Sequence, residues 1–341
     1  MPKAVISGLF LLINMILEVK CEEFTISSNC SGKVMESQYT YNTMISRGIL
    51  ECAALCDLDY KCLSFQYGDN QCQMNDQMVG SNCSRMVDNP SFQYYQKVCQ
   101  NGGAVVTSFC LCINSYVGTY CERFMRDCAE GFSSPHEYTT DGIYTIYPVL
   151  SPTSFQVYCE MKSNGGRTMF QHHQSSSFYF NRTWQEYKDG FGSLASDHWL
   201  GLDKMYYLTN SRNYTAVFYM KLANSTSYHH YFDGFVVENE VEGYQMTFSF
   251  AHPHSINTLG DSLTEVKNQY FSTYDNDNDN SSRNCALDMR SGWWYNDCAP
   301  CNPNGELLKP SDSLKTTDYE VFWTNDLQNI VPVMVQIWLM V

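Results

Sequence analysis

The length, composition and charge of the chain already exclude several classes of protein. It has 341 residues, of which 44% are hydrophobic and 15% aromatic, which is enough apolar surface for a sizeable core and more than one domain. The net charge is −15, and the sequence lacks the clustered Lys and Arg that binding to nucleic-acid phosphates needs. We therefore expect an ordered protein with no nucleic-acid partner.

The first predicted element is a secretory signal peptide at residues 1–21. Lys3 is followed by the apolar segment AVISGLFLLINMIL and then by polar residues, which is the three-part pattern of such a peptide. Asn14 interrupts the apolar run, which is also shorter than the ~20 residues of a membrane-spanning helix. We expect cleavage after Cys21, a secreted, extracellular protein and no transmembrane segment; a membrane anchor is the less favoured alternative.

Cysteines and glycosylation sequons fit an exported chain. Disulfides form in oxidising compartments, so the 16 cysteines are interpreted as disulfide partners and not as zinc ligands. Asn-x-Ser/Thr triplets predict an N-glycosylated protein. They lie at Asn29, Asn82, Asn181, Asn213, Asn224 and Asn280.

Residues 22–98 predict a helix clamped to a sheet. Cys52 and Cys56 are four residues apart in a helix-forming run and share one helical face, and the segments CLSFQY and SFQYYQKV have the aromatic composition of strands. The block resembles the PAN/apple module. That resemblance implies the disulfide pairs Cys52–Cys72, Cys56–Cys62 and Cys30–Cys83.

Residues 99–122, CQNGGAVVTSFCLCINSYVGTYCE, are a short glycine-bearing segment with a CxC pair. The segment resembles an EGF-like module in which the family's first and third cysteines are both missing. Those two pair with each other in the family, so the resemblance implies that Cys99–Cys110 and Cys112–Cys121 still form. No calcium-binding signature precedes the segment, and we interpret it as a spacer.

Residues 124–341 carry the strongest resemblance, through a series of segments in a characteristic order. They are DCAEGFSSPHEYTTDGIYTIYP, FQVYCEMKSNGGRTMFQ, RTWQEYKDGFGSL, HWLGLDKMYYLT, LGDSL, FSTYDNDND, NCA and SGWWYNDC. Together they resemble a fibrinogen C-terminal globular domain, a mixed sheet with short helices and long loops, and imply the disulfides Cys128–Cys159 and Cys285–Cys298. The expected fold class of the whole chain is a disulfide-rich, α+β multidomain protein.

The acidic run FSTYDNDNDNSSRNC predicts a metal site. Its three aspartates lie within five residues, and their repulsion favours either solvent exposure or a bound cation. The resemblance implies a calcium ion held by the side chains of Asp277 and Asp279 and by the carbonyls of Ser281 and Arg283. Oxygen ligands on a flexible loop suit Ca²⁺ better than zinc. A solvated Asp- and Asn-rich turn is the alternative.

An EF-hand does not explain the same run. Such a loop needs Gly at its sixth position and Glu at its twelfth, and Asn280 and Ala286 stand there.

A ligand pocket for acetylated sugars, sialylated glycans or peptides is expected beside the calcium, again from the resemblance. The family's WWYNxCH segment is Trp293 to Ala299 here, with Ala in place of His, and Leu307 stands where a pocket Tyr is common. At least one of the two tryptophans is expected in the core. The candidate pocket residues are Tyr295, Asn296 and Ala299.

Cys301 has no partner in the family pattern. It is therefore free, paired with an unexpected cysteine, or the link of a homo-oligomer. Cys21 is a second candidate for such a link unless it leaves with the signal peptide.

The sequence favours a binding protein over an enzyme. Gly260 to Leu263 spells the GDSL signature of hydrolases, but Ser262 would need a downstream Asp and His, and the last histidine, His254, precedes it. The paired histidines at 172–173, 229–230 and 252/254 lack zinc spacing and are expected on the surface or in loops.

The C-terminal segment VPVMVQIWLMV is too short to span a bilayer and resembles the last strand of the fibrinogen domain.

Two functions remain open from the sequence. The leading one is calcium-dependent recognition of carbohydrate or another acetylated surface ligand by a secreted lectin-like protein. The other is an extracellular-matrix or adhesion protein that acts through protein contacts of its PAN/apple and EGF-like modules.

Overall fold

The computed structural model forms two compact units, Met1–Arg123 and Phe124–Val341. The expected signal peptide, Cys21, Asn29, Asn82 and His254 lie outside the described residues. The structure describes residues 24–26, 30, 33–59, 61–79, 83, 86–106, 109–133, 138–253, 259–308, 319–324 and 332–341.

The main body of the N-terminal unit is an antiparallel sheet with one helix, α1 (Ile49–Leu58). Its strands are β1 (Phe24–Ile26), β2 (Lys33–Met35), β3 (Thr40–Ile45), β4 (Ser64–Gly68), β5 (Gln71–Asn75), β6 (Met86–Asp88) and β7 (Phe92–Lys97). Five of them form one sheet in the order β1-β7-β4-β5-β3, and β2 pairs with β6. A 3-10 turn, Ser37–Tyr39, precedes β3.

Helix α1 is fastened to this sheet by cysteines on its buried face. Cys52 and Cys56 are fully buried, which confirms that the two share one helical face. Cys52 bonds to Cys72 on β5, and Cys56 bonds to Cys62 in the connection to β4. The third bridge of this body is Cys30–Cys83. These are the pairs that the PAN/apple resemblance implies.

The rest of the N-terminal unit is a small hairpin segment held by two further bridges. Its strands are β8 (Ala104–Val106), β9 (Phe109–Leu111), β10 (Tyr116–Val117) and β11 (Arg123–Phe124). The bridges are Cys99–Cys110 and Cys112–Cys121. The bridged sulfurs pack with Met78 in a cluster of their own, so disulfides make up much of the core of this segment.

The C-terminal unit is built around a larger antiparallel sheet with short helices. Its helices are α2 (Cys128–Phe132), α3 (Trp184–Asp189), α4 (Leu202–Ser211) and α5 (Cys285–Asp288), with 3-10 turns at Glu240–Glu242 and Thr264–Val266. Its strands are β12 (Gly142–Ile146), β13 (Phe155–Lys162), β14 (Gly165–His173), β15 (Phe191–Gly192), β16 (His198–Trp199), β17 (Thr215–Leu222), β18 (Ser227–Asp233), β19 (Val236–Val237), β20 (Met246–Thr247), β21 (Phe250–Ala251) and β22 (Pro332–Met340).

Strand β22 lies in the middle of this sheet, although it comes last in the chain. The order is β12-β13-β14-β22-β17-β18-β21, and β22 pairs antiparallel with both β14 and β17. Ile337 and Leu339 point into the core and are almost completely buried. The prediction that the C-terminal segment is a core strand is confirmed.

The core of the C-terminal unit is strongly aromatic. Trp293 and Trp294 are both fully buried, with ring centroids 4.9 Å apart, so the core role expected for one of them holds for both. Trp294 also packs against Phe271 at 5.2 Å and donates from Nε1 to the carbonyl of Tyr244 at 2.7 Å. The start of the acidic run is therefore tied into the core through Phe271.

The expectation that the paired histidines lie on the surface or in loops is wrong for two of them. His173 on β14 and His230 on β18 are buried, because strand alternation places them on the inner face of the sheet, opposite Val335 and Phe218. Burial lowers the pKa of His173 to about 4. Within the described ranges, no helix combines the length and apolar character that crossing a bilayer requires.

Candidate functional site

The acidic loop, residues 271–285, is anchored to the core at both ends. At its start, Ser272 exchanges two backbone hydrogen bonds with Trp293, at 2.9 and 3.2 Å. At its end, Asn284 caps α5 by accepting from the N–H of Leu287, and Cys285 is bonded to Cys298. The loop is thus held against the segment that carries the expected pocket residues.

Asp275 has a structural task that separates it from the other two aspartates. Its Oδ1 accepts from the backbone N–H of Trp184 at 2.9 Å and from Thr273 Oγ1 at 2.7 Å. Trp184 is the first residue of α3, whose capping box is made by Thr183 and Glu186. Asp275 therefore fastens the acidic loop to the beginning of a helix.

Asp277 and Asp279 are held close together at the surface of the loop. The carboxylate of Asp279 accepts from the N–H of Ser281 and of Cys285, both at 2.9 Å, and Asp277 Oδ1 lies 3.4 Å from the N of Asp279. Partial burial raises the pKa of Asp279, and the neighbouring Asp277 carboxylate adds to this, while the two backbone N–H groups oppose it. Two adjacent negative charges of this kind are stabilised by a cation.

The donor set fits calcium in its chemistry. Asp277 and Asp279 supply carboxylate oxygens, and the expected remaining protein ligands, the carbonyls of Ser281 and Arg283, are also oxygens; Ca²⁺ takes such ligands in flexible geometry. Among the described residues, no group of three or more His, Cys, Asp or Glu side chains is placed to hold a metal. A calcium ion here would thus rely on two carboxylates, backbone carbonyls and water.

Tyr295, the first of the expected pocket residues, is a core residue. Its side chain is 0% exposed, and its hydroxyl lies 2.8 Å from Ser291 Oγ and 3.2 Å from the Ser291 carbonyl. Burial raises its pKa well above the ordinary range. The assignment of Tyr295 to a ligand-contacting surface is therefore wrong, because the ring continues the buried aromatic run of the two tryptophans.

Asn296 and Ala299, the other expected pocket residues, are partly exposed. Asn296 is joined to the acidic loop through Asn280: its carbonyl accepts from the Asn280 N–H at 3.0 Å, and its Oδ1 accepts from Asn280 Nδ2 at 2.9 Å. Its own N–H donates to the Cys298 carbonyl at 2.7 Å. This Asn280–Asn296 pair connects the expected metal and ligand positions, and nothing in the local sequence predicts it.

Cys301 is not available to link chains in the folded protein. It is fully buried, and its Sγ lies 3.4 Å from the carbonyl of Ser262. Burial raises the pKa of the thiol, which keeps it protonated and unreactive. Of the three alternatives for Cys301, the structure shows the free, buried thiol, and the homo-oligomer linked through this residue is wrong. Ser262 of the GDSL sequence is also buried.

The C-terminal unit contains the disulfides Cys128–Cys159 and Cys285–Cys298, the pairs that the fibrinogen resemblance implies. The described sequon asparagines Asn181, Asn213, Asn224 and Asn280 are all exposed.

Comparison with known proteins identifies the C-terminal unit. Residues 124–330 match the family model "Fibrinogen beta and gamma chains, C-terminal globular domain". Fibrinogen C domain-containing protein 1 of Xenopus tropicalis is 37% identical over 190 residues, which cover 54% of this chain and 40% of the relative. The match thus spans about two fifths of the length of that relative.

Solved structures agree with this match. The fibrinogen-like globe domain of human ANGPTL2 is similar with a TM-score of 0.58 and 30% identity, over 63% of this chain and 98% of that one. Lamprey fibrin D-dimer, solved with the peptide ligand Gly-His-Arg-Pro-amide, has a TM-score of 0.56 and 25% identity, over 63% and 72% of the two chains. The chain belongs to the family of proteins with a fibrinogen C-terminal globular domain.

Proposed function

We propose that this protein is an extracellular recognition protein whose fibrinogen domain binds carbohydrate or another acetylated surface ligand in the presence of calcium. The observation that carries the proposal is the pair Asp277 and Asp279, held side by side on a loop whose two ends are fixed to the core. Without a cation, the two carboxylates repel each other; with one, they become ligands.

An extracellular location is supported by the covalent chemistry of the chain. Disulfides occur in both units, and such bonds persist in oxidising compartments. The sequon asparagines Asn181, Asn213 and Asn224 are exposed, so a glycan on each of them can extend into solvent.

The ligand position that we propose lies beside the acidic loop. Asn296 and Ala299 are partly exposed there, and Asn296 presents an amide that can hydrogen-bond a ligand. Tyr295 does not contact the ligand in this proposal. Its buried ring and hydroxyl hold the segment that carries Asn296 and Ala299 in place. A small polar group such as an acetamide suits a site with one amide and one methyl side chain better than a large aromatic ligand does.

A second candidate function is adhesion through the N-terminal unit, as a PAN/apple module followed by a truncated EGF-like module. Ile45 and Leu58 of this unit are 87% and 81% exposed, so two large apolar side chains are accessible to a protein partner. The changes to Ala299 and Leu307 in the family pattern point in the same direction. In this case, calcium would only make the loop rigid.

Affinity capture separates the two functions. The secreted protein is applied to N-acetylglucosamine resin in calcium and then in chelator, and free N-acetylated sugar is used as competitor. The proposal predicts calcium-dependent capture that the sugar reverses, and loss of capture in Asp277→Asn. The substitution Glu242→Gln removes the same charge from an exposed residue outside the Asp277/Asp279 pair and should leave capture intact. Absence of capture by folded protein in both conditions would reject the proposal in favour of protein partners.

A further inference from the structure

Asn280 combines a glycosylation sequon with a position inside the candidate site. The triplet Asn280-Ser281-Ser282 is a sequon, and Asn280 stands between Asp279 and Ser281, two of the expected calcium ligands. It is exposed, so a glycan on its side chain would project into solvent at the edge of the acidic loop.

The side chain of Asn280 also holds the loop to its surroundings. Its Nδ2 donates to Gln269 Oε1 at 2.8 Å and to Asn296 Oδ1 at 2.9 Å. A primary amide has two N–H groups, so both donors are in use. Among the described sequon asparagines, Asn280 is the one whose Nδ2 bridges two other side chains; for Asn224, by contrast, Oδ1 accepts from the nearby N–H of Thr226.

Glycosylation necessarily changes this arrangement. Transfer from a lipid-linked diphosphate oligosaccharide forms a bond between Nδ2 and C1 of the first sugar and breaks the bond between C1 and the diphosphate. The proton lost from Nδ2 passes to solvent, and the lipid diphosphate leaves. One N–H remains on Nδ2, so only one of the hydrogen bonds to Gln269 and Asn296 can persist, and a bulky sugar stands where the other donor was.

We propose that N-glycosylation of Asn280 regulates access to the ligand position at Asn296 and Ala299. In the unmodified protein, Asn280 holds Asn296 in place and leaves the edge of the loop uncovered. In the glycosylated protein, the first sugar covers this edge and the hold on Asn296 is weakened. The effect on ligand binding depends on the proposed function, whereas the effect on the hydrogen bonds does not.

One substitution separates the glycan from the asparagine. Ser282→Ala destroys the sequon but leaves Asn280 and both of its hydrogen bonds, because Ser282 is exposed. Thr226→Ala destroys the sequon at Asn224, away from the acidic loop in sequence, and serves as the matched control. Both proteins are secreted from cells that glycosylate, and occupancy of Asn280 is read by mass spectrometry of the glycopeptide.

Two readouts then test the proposal. Hydrogen exchange of the peptide containing residues 293–300 should be slower in Ser282→Ala than in glycosylated wild type. The difference should be roughly fivefold, because Ser282→Ala keeps one hydrogen bond that the glycan removes from wild type. Binding to immobilised N-acetylglucosamine in calcium should be several-fold tighter. The Thr226→Ala protein should match wild type in both measurements.

The outcomes distinguish this proposal from the proposed function. An unmodified Asn280 in the secreted wild-type protein would overturn regulation by a glycan and leave the ligand class untouched. Equal exchange rates in wild type and Ser282→Ala would overturn it as well. Slower exchange in Ser282→Ala without binding of either protein to the sugar would support the effect of the glycan on the loop and reject the ligand class.

Discussion

The N-terminal unit carries the bridges Cys30–Cys83, Cys52–Cys72, Cys56–Cys62, Cys99–Cys110 and Cys112–Cys121, whereas the longer C-terminal unit carries two among its described residues. In the first unit, half-cystines form much of two buried clusters. In the second, the largest buried side chains include Trp199, Trp293, Trp294 and Trp323.

This difference follows from the amount of apolar surface that each unit can bury. A small cysteine-rich body buries too little for its core to outweigh chain entropy, and disulfides supply the difference by constraining the unfolded state. The C-terminal unit has a central sheet with a buried inner face and depends less on crosslinks. The candidate site lies on the C-terminal unit, which is stabilised mainly by its core. The bridge Cys285–Cys298 at this site acts locally on the acidic loop.

Removal of β22 should have the largest effect on the C-terminal unit. A chain that ends at residue 331 lacks the strand between β14 and β17. Each of these two strands then loses its partner on one side, and the core is opened. We expect no cooperative unfolding transition for this unit and a severe loss of secretion. Deletion of Val341 alone, which is 55% exposed and lies beyond the strand, is the control. Normal secretion of the truncated protein would contradict the central role of β22.

Loss of a disulfide should affect the two units unequally. The double substitution Cys52→Ser/Cys72→Ser removes a bridge with a sequence separation of 20, worth about 3 kcal/mol in the chain-entropy model. We expect the N-terminal unit to unfold or become sensitive to protease. The pair Cys128→Ser/Cys159→Ser should only lower the melting temperature of the C-terminal unit. Equal loss of structure in both variants, measured by limited proteolysis, would remove the contrast between the units.

The buried histidines should make the C-terminal unit sensitive to acid. His173 has a folded-state pKa of about 4, below the ordinary value near 6.5, so the unfolded chain binds the proton more tightly. The contribution of His173 to the free energy of unfolding is fully present above pH ~6.5. It is lost as the pH drops towards the folded pKa, by about 3 kcal/mol in all. Burial lowers the pKa of His198 as well, which adds to the effect in the same direction.

Denaturant unfolding between pH 7.5 and 4.5 measures this effect. His173→Phe keeps an aromatic ring beside Phe180, whose centroid lies 4.4 Å away, and should flatten the pH dependence. Tyr179→Phe changes an exposed aromatic residue that is not a histidine and should retain the wild-type slope. An unchanged slope in His173→Phe would show that this histidine is not the source.

The smallest predicted effect tests the reassignment of Tyr295. Tyr295→Phe removes a buried hydroxyl that interacts with Ser291 and lies near Asn302, so we expect a loss of about 1–2 kcal/mol in unfolding free energy. Calcium and ligand binding should not change. Tyr274→Phe, on an exposed tyrosine, should stay within about 0.5 kcal/mol of wild type. Loss of ligand binding without loss of stability in Tyr295→Phe would show that Tyr295 contributes to the ligand site after all.

Local pattern and family resemblance together predicted much of the fold, but not the side-chain environment of the site. The cysteine spacing of α1 and the apolar run of β22 have a clear periodicity or composition, and both elements were predicted. Tyr295 lies in an irregular segment, where no period tells the inner face from the outer one. Asp275 contacts Trp184, 91 positions earlier in the chain, and such a contact leaves no mark on the local sequence.

The proposed calcium site depends on Asp277 and Asp279. The most direct test is calorimetric titration with calcium of protein that has been treated with chelator and shown to be folded. The titration is carried out on wild type, Asp277→Asn and Glu242→Gln. We expect one saturable site in wild type and in Glu242→Gln. We expect its loss in Asp277→Asn, with no decrease in the melting temperature measured without calcium. Absence of binding in folded wild-type protein, or equal affinity in Asp277→Asn, would contradict the claim.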